Sequence, residues 1–388
     1  RSTLFPYTTL FRSPLAAQAG NERRRCRIVV LIKKLMDSLR HFTNGGANVQ
    51  IEITKSSDLL DSNGVLIQRG WARDLLLRYD REKIRASKLR IKEWDYYCIL
   101  TDEYAAAFTI ADIGYAGMGS VSFIDFTKPN DMTQTVTTAF PMGKLNMPST
   151  SHRGDVRFEH DKLSLEFIAD GPHRLINVSL ADFAGGKPLQ GTIRMTKPDP
   201  MDSMVIVTPF SGDPHAFYYN QKINCMPAEG VLILGSEKKT FDPRKSFAVL
   251  DWGRGVWTYS NTWYWGSASG AVDGTPFGFN IGYGFGDTSC ASENMLFYDN
   301  KAHKLDQVQF HIPPDDYLEP WKFTSNDRRF EMDFYPIIDR NADINALIFR
   351  STQHQVFGRF TGKAVLDDGT VIELKDFLGF AEEVSNRW

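Results

Sequence analysis

Along most of this chain the apolar positions alternate with polar ones instead of recurring every third or fourth residue. RFEHDKLSLEFIAD (157–170) alternates on both sides of a charged turn, and GRFTGKAVLDDGTVIELKDF (358–377) does so around Asp368-Gly369. An Asp-Gly pair between β-branched runs suits a tight hairpin turn. GKPLQGTIRMT (186–196) and AEGVLILGSE (228–237) read the same way. Helical periodicity is scarce. LLLRYDREKIRASKLRIKEW (75–94) holds a charged segment with room for a helical turn or two, and IELKDFLGFAEEVSNRW (372–388) is expected to end in a short helix. Short strands at this spacing predict an all-β fold of sandwich or barrel type.

The pattern repeats. EWDYYCIL and FTIADIGYAGMGSVSFIDF in the first half answer to NTWYWGSA and FGFNIGYGFGDTSCASENMLFYDN in the second. Trp94 matches Trp263 at an offset of 169, Ile113-Gly114-Tyr115 matches Ile281-Gly282-Tyr283 at 168, and Phe167 matches Phe334 at 167. Three blocks at nearly one offset indicate two copies of a β-unit. The Pro- and Asp-rich stretch PDPMDSMVIVTPFSGDPH (198–215) places the boundary between a domain at 48–205 and another at 206–388. The copies differ where chemistry is concerned: Asp112 answers to Asn280, and Asp95 to Tyr264. FAVLDWGRGVWTYSNTWYWG (247–266) precedes the second copy alone.

Composition narrows the functions. The aromatic content, 27 Phe, 14 Tyr and 8 Trp, fits a strand-rich core. A net charge of −2, with no long basic run after residue 40, argues against nucleic-acid binding. Cys26, Cys98, Cys225 and Cys290 stand far apart, without a C-x-x-C pair, so neither a zinc nor a redox site is expected and reduced thiols point to the cytoplasm. The eight His form no metal-binding spacing. GYGFGDTS (282–289) contains G-x-G-x-G, but loop and strand follow it where a dinucleotide site needs a helix. No cofactor is expected.

The N-terminal RSTLFPYTTLFRS lacks the uninterrupted apolar core of a secretory signal. Thr3 to Ser13 resembles a translated sequencing adapter, so residues 1–47 are expected to be an artefactual or disordered leader, of which 1–13 derive from the adapter. The apolar run Ile28 to Ile32 is too short to span a membrane, although its Arg and Lys flanks leave peripheral membrane contact open.

GWAR (70–73), IKEWDYY (91–97), ADIGY (111–115) and LDWGRGVWTYSNTWYWGSASG (250–270) resemble the bacterial family known as domain of unknown function 2804, from about Leu59 to the C-terminus. That family carries no assigned activity. At the level of arrangement, the tandem repeat with its Asp-Trp beside clustered aromatics is similar to the two-domain lipocalin-like proteins, among them carotenoid hydratases and tocopherol-cyclase-like enzymes. This resemblance implies two tandem lipocalin-like antiparallel β-barrel or sandwich domains. It also implies an apolar β-cavity for a hydrophobic ligand and no redox cofactor.

The candidate site centres on residues 249–269. Trp257, Tyr259, Trp263 and Trp265 would share a face if a single strand ran through them, and Trp252 and Tyr283 complete the proposed ligand wall. Asp251 is the first candidate for a general acid, because burial among aromatic rings favours a protonated carboxyl. Asp112 is second, and Asp95 follows it. The leading reading is a protein that binds a hydrophobic, lipid- or isoprenoid-like small molecule. The alternative is a cofactor-independent hydratase, isomerase or cyclase using Asp251, and the distant one is carbohydrate binding on exposed rings.

Overall fold

The computed structural model describes residues 50–346 and 349–387, so the leader, with its adapter-like stretch, lies outside the described residues. The first described segment carries β1 (Ser57–Asp58), β2 (Gly70–Ala72) and β3 (Leu77–Arg78). The charged stretch after it forms two 3-10 turns, Arg81–Lys83 and Lys88–Arg90, capped by the side chains of Asp80 and Ser87. These are the only helical elements among the described residues, and none of them is long and apolar enough to cross a membrane.

The rest is strand. β4 (Ile91–Leu100), β5 (Tyr104–Asp112), β6 (Ala116–Asp125) and β7 (Asn130–Ala139) form a meander. β8 (Arg153–His160), β9 (Leu163–Asp170), β10 (His173–Ala184) and β11 (Lys187–Thr196) form another. β12 (Met204–Pro209), β13 (Phe217–Leu234), β14 (Glu237–Phe241) and β15 (Phe247–Val256) complete the first sheet. Its main path runs β7-β6-β5-β4-β15-β13-β11-β10-β9-β8. The second sheet begins with β16 (Ser260–Val272), β17 (Thr275–Tyr283), β18 (Met295–Tyr298) and β19 (Lys301–Lys304). It continues through β20 (Val308–His311), β21 (Trp321–Ser325), β22 (Phe330–Ala346), β23 (Phe349–Val365) and β24 (Val371–Arg387), in the order β19-β18-β17-β16-β24-β23-β22-β21-β20. Both sheets are antiparallel throughout and curled.

The repeat is visible as topology. In each sheet a four-stranded meander joins the rest by pairing its first strand, β4 or β16, with the last strand, β15 or β24. Trp94 and Trp263 occupy those first strands, and the Ile-Gly-Tyr blocks sit at the ends of β5 and β17. The sheets part between Val256 and Ser260. This is later than the composition-based boundary, because β12 to β15 all pair into the first sheet. The C-terminal segment is strand to Arg387 rather than helix: β24 pairs with β16 on one side and β23 on the other, burying Phe380, Ala381 and Val384. Tertiary pairing there overrides the helix-forming tendency of its Ala and Glu residues.

One irregularity joins the sheets. β13 shifts register between Ile223 and Met226, and Cys225 takes a positive φ of 59°. The bulge turns Asn224 outward from its own ladder, where its Nδ2 donates to Ser267 Oγ at 2.8 Å and to the Phe279 carbonyl at 3.0 Å of the second sheet. Gly278 makes room for the Cys225 thiol, since a Cβ there would stand 2.5 Å from its sulfur. Cys98, Cys225 and Cys290 are buried and unbridged.

Candidate functional site

Alternation along β13, β15 and β4 sends neighbouring residues to opposite faces of the first sheet. On the face toward the second sheet, Lys222, Asp251 and Tyr96 form a cross-strand row. The second sheet answers with a row of its own, Trp265, Glu382 and Gln355. The rows meet. Lys222 Nζ lies 4.2 Å from the Trp265 ring centroid, and the Tyr96 ring stands edge-on to Trp265 at 5.8 Å. The segment between β17 and β18 adds Phe285 and Glu293.

Four ionisable side chains are thereby enclosed: Lys222 at 1 % exposure, Asp251 at 8 %, Glu293 at 0 % and Glu382 at 5 %. Lys222 donates to Asp251 Oδ1 at 2.7 Å, and Asn220 Nδ2 donates to the same oxygen at 2.6 Å. Glu382 accepts from Trp263 Nε1 at 3.1 Å and Gln355 Nε2 at 2.9 Å. Burial pushes its carboxyl up to about 7, against these hydrogen bonds and the Lys222 charge. Burial pushes Glu293 to about 7 as well, with Lys222 pulling down and Asp251 pushing up. The Tyr218 hydroxyl lies beside Glu293, yet neither that hydroxyl nor either carboxyl oxygen completes a hydrogen bond of ordinary geometry. Three acids around one ammonium cannot all ionise in an apolar enclosure, so the cluster stores protons near neutrality.

An aromatic wall adjoins it. Tyr218 stacks on Phe285 at 5.0 Å and on Trp94 at 6.0 Å, and Trp257 stands edge-on to Trp94, Tyr218 and Trp263. Gly253 makes the stack possible: a Cβ there would lie 2.1 Å from the Trp94 ring.

The structure gathers Asp251, Trp257, Trp263 and Trp265 of the candidate residues. It does so by a different route from the continuous strand, which breaks at 257–259 as the chain crosses between sheets. Asn261 holds that crossing through hydrogen bonds with Thr258. The other candidates lie elsewhere. Trp252 points to the opposite face of β15, packed against Tyr79 and Tyr219. Tyr259 is 55 % exposed. Tyr283 stacks on Tyr264 at 4.6 Å. Asp112 accepts from the Gly114 and Gly143 amides and so fixes two turns. Asp95 pairs with Arg254 at 2.9 Å, whereas Asp251 pairs with Lys222. In GYGFGDTS, Gly284 and Gly286 take positive φ and no helix follows. Lys222, Glu293 and Glu382 were not singled out from the sequence. The readable signal was charge inside apolar runs, as in YYNQKINCM and GFAEEV.

The profile of the family described as Domain of unknown function (DUF2804) matches residues 50–388, and the chain belongs to that family. No curated protein matches the sequence. Among solved structures, the chain is similar to a putative AttH from Nitrosomonas europaea, with a TM-score of 0.50 and 11 % identity over 79 % of this chain and 96 % of that one. It is also similar to kievitone hydratase from Nectria haematococca (TM-score 0.45, 11 % identity, 88 % of this chain and 98 % of that one) and to CghA (0.47, 11 %, 88 % and 96 %). The fold is an all-β pair of tandem lipocalin-like units.

Proposed function

We propose that this protein binds an apolar, unsaturated small molecule between its two sheets and protonates it without a redox cofactor, as a hydratase, isomerase or cyclase does. The observation that carries this reading is the enclosure of three carboxyls and one ammonium among Trp, Tyr and Phe rings. A core built for stability alone gains little from such a cluster, since well-packed apolar side chains of similar volume serve as well or better. Carboxyls that hold a proton near pH 7 suit general acid catalysis. Asp251 is engaged as an acceptor by the Lys222 ammonium, so the donor role passes first to Glu293, whose oxygens complete no hydrogen bond, and then to Glu382, whose carboxyl burial raises to about 7. In a hydration, the carboxyl proton goes to one alkene carbon and the π pair forms the new C–H bond. Water adds to the cationic carbon and returns its proton to the carboxylate. The faces of Trp265 and Phe285, which already hold the Lys222 charge, suit such a cation.

The sugar-binding reading would need an open aromatic platform, and these rings are mostly buried. A recess of about 420 Å³ near Asp58, Asp61, Lys83 and Arg85 shares no lining residue with the cluster.

The test is incubation of the protein with a panel of unsaturated isoprenoids in deuterated water, read by mass spectrometry for a non-exchangeable deuterium in the product. Wild type should install one, and a Glu293→Gln, Glu382→Gln double variant should retain ligand in native mass spectrometry while losing turnover. Equal turnover by that variant rules out the acid role. Wild-type protein recovered free of ligand from lipid-rich cells, with no deuterium installed, rules out the reading itself.

A further inference from the structure

Glu293 keeps its place in the cluster against its own hydration. A fully buried carboxyl whose oxygens complete no hydrogen bond gains by reaching water, so the segment that carries it must be held. No strand ladder does so: residues 284–294 lie between β17 and β18 and form no strand, and Gly284 and Gly286 take positive φ. The hold comes from Lys304, the last residue of β19. It pairs with Met295 at the start of β18 and so returns beside the residues that lead into that strand. Its Nζ donates to Ser292 Oγ at 2.7 Å and to the Asn294 carbonyl at 3.0 Å, one residue to either side of Glu293, and to the carbonyl of its neighbour Leu305.

Three acceptors match the three N–H groups of an ammonium. The Ser292 hydroxyl directs its own hydrogen to the carbonyls of Leu305 and Asp306, so it meets Lys304 as an acceptor. Asn294 is fixed further, donating to the Asp306 carbonyl at 2.9 Å and accepting from the Gly282 amide at 2.8 Å. Gln50 Oε1 accepts from the Ser292 amide and so holds one side of Glu293 alone. Lys304 forms no ion pair among the described residues, its acceptors being a hydroxyl and two carbonyls. Burial pushes its ammonium down to about 7, with Asp306, Glu293 and Asp327 pulling up and Arg329 pushing down. A desolvated cation is a poor choice for closing a hairpin, since an apolar residue of similar volume avoids its desolvation. Holding both neighbours of a buried acid, by contrast, needs a donor with several hydrogens.

We infer that Lys304 is a positioning residue: it pins Ser292 and Asn294 and thereby keeps Glu293 inside the cluster. Its catalytic meaning rests on the acid role proposed for Glu293, but the pinning is read without turnover. Carboxyl-carbon NMR of the full chain, labelled in glutamate and assigned with Glu293→Gln and Glu382→Gln, should follow both buried acids in wild type, Lys304→Met, Lys304→Arg and Ser292→Ala. Released from the ammonium, Glu293 reaches water. In Lys304→Met its titration should therefore fall from about 7 toward the ordinary 4.5, by at least about one pH unit, a tenfold loss of proton affinity. Loss of a nearby positive charge alone would move it the other way. Glu382, on β24, should stay near 7, which excludes general loosening. Ser292→Ala keeps the ammonium, removes one of its acceptors and should show a smaller fall, whereas Lys304→Arg should keep most of the wild-type value. A Glu293 titration that is unchanged or raised in Lys304→Met overturns the proposal, and so does a fall shared equally by Glu382. If Lys304→Met does not fold, Ser292→Ala decides, and an unmoved Glu293 there overturns it. Wild type that installs no deuterium, while Glu293 falls in Lys304→Met, would sink the acid reading and leave the positioning role standing.

Discussion

Two charge clusters lie back to back on the same three strands, one residue apart in sequence: Lys222 beside Gln221, Asp251 beside Trp252, Tyr96 beside Asp95. The inter-sheet cluster has one cation and three acids. The first-sheet interior has three guanidinium groups, Arg81, Arg174 and Arg254, and three acids, Glu93, Asp95 and Asp112. Strand alternation alone divides them, and each sits in apolar surroundings. The difference lies in how each settles its charge. Burial is the main reason that Glu293 and Glu382 hold their protons up to about 7, with the nearby Asp251 charge adding to it. Guanidinium groups cannot shed theirs in a protein. The acid-rich face therefore holds protons, whereas the other face holds fixed ion pairs, and the two are suited to different chemistry.

The sharpest break in that comparison is Lys222→Met. It removes the one cation from the acid cluster and leaves Asp251 with Asn220 alone. A loss of about 3–5 kcal/mol is expected in urea denaturation, the usual cost of breaking a buried pair. A loss below about 1 kcal/mol would mean that the acids relax independently of the ammonium. The proton store itself is read from pH. Glu293 and Glu382 release protons near 4.5 when unfolded and near 7 when folded, so folding holds protons in that window. Their contribution is full below about pH 4.5 and falls away as pH rises to about 7, by on the order of 3 kcal/mol for each group. The Glu293→Gln, Glu382→Gln variant should flatten that slope, and an unchanged slope assigns it elsewhere. Gly253→Ala tests the wall between acid cluster and aromatic stack. Its methyl group meets the Trp94 ring, at a cost of about 1–3 kcal/mol and with a changed tryptophan emission.

The sequence made the architecture legible because alternation and the repeat are local signals. The offset of Trp94 to Trp263 marks equivalent strands of two like-ordered sheets. The C-terminal strand was missed because β24 is defined by its partners β16 and β23, which composition does not show. The site was half legible. Asp251 and Trp265 lie in a motif that stands out by its aromatics, whereas Lys222, Glu293 and Glu382 come from three distant segments that only the packing of sheet on sheet unites. Trp252 faces away from the expected ligand wall, because the adjacent Asp251 and Trp252 point to opposite sides of an extended strand.

The smallest expected effect is on the other face. Arg174→Met removes a buried cation that has one unused N–H and no carboxylate within ion-pair distance. The carbonyls of Ser151 and Gly171 lose a donor, which costs stability, but the desolvated charge goes with it. Replacing buried charge by apolar volume is often neutral or stabilising. The midpoint of urea unfolding should therefore stay within about 1 kcal/mol of wild type or rise, in contrast to Lys222→Met. A loss of several kcal/mol in Arg174→Met would show that the two carbonyls already satisfy the guanidinium, and the asymmetry between the faces would then lie in the acids alone.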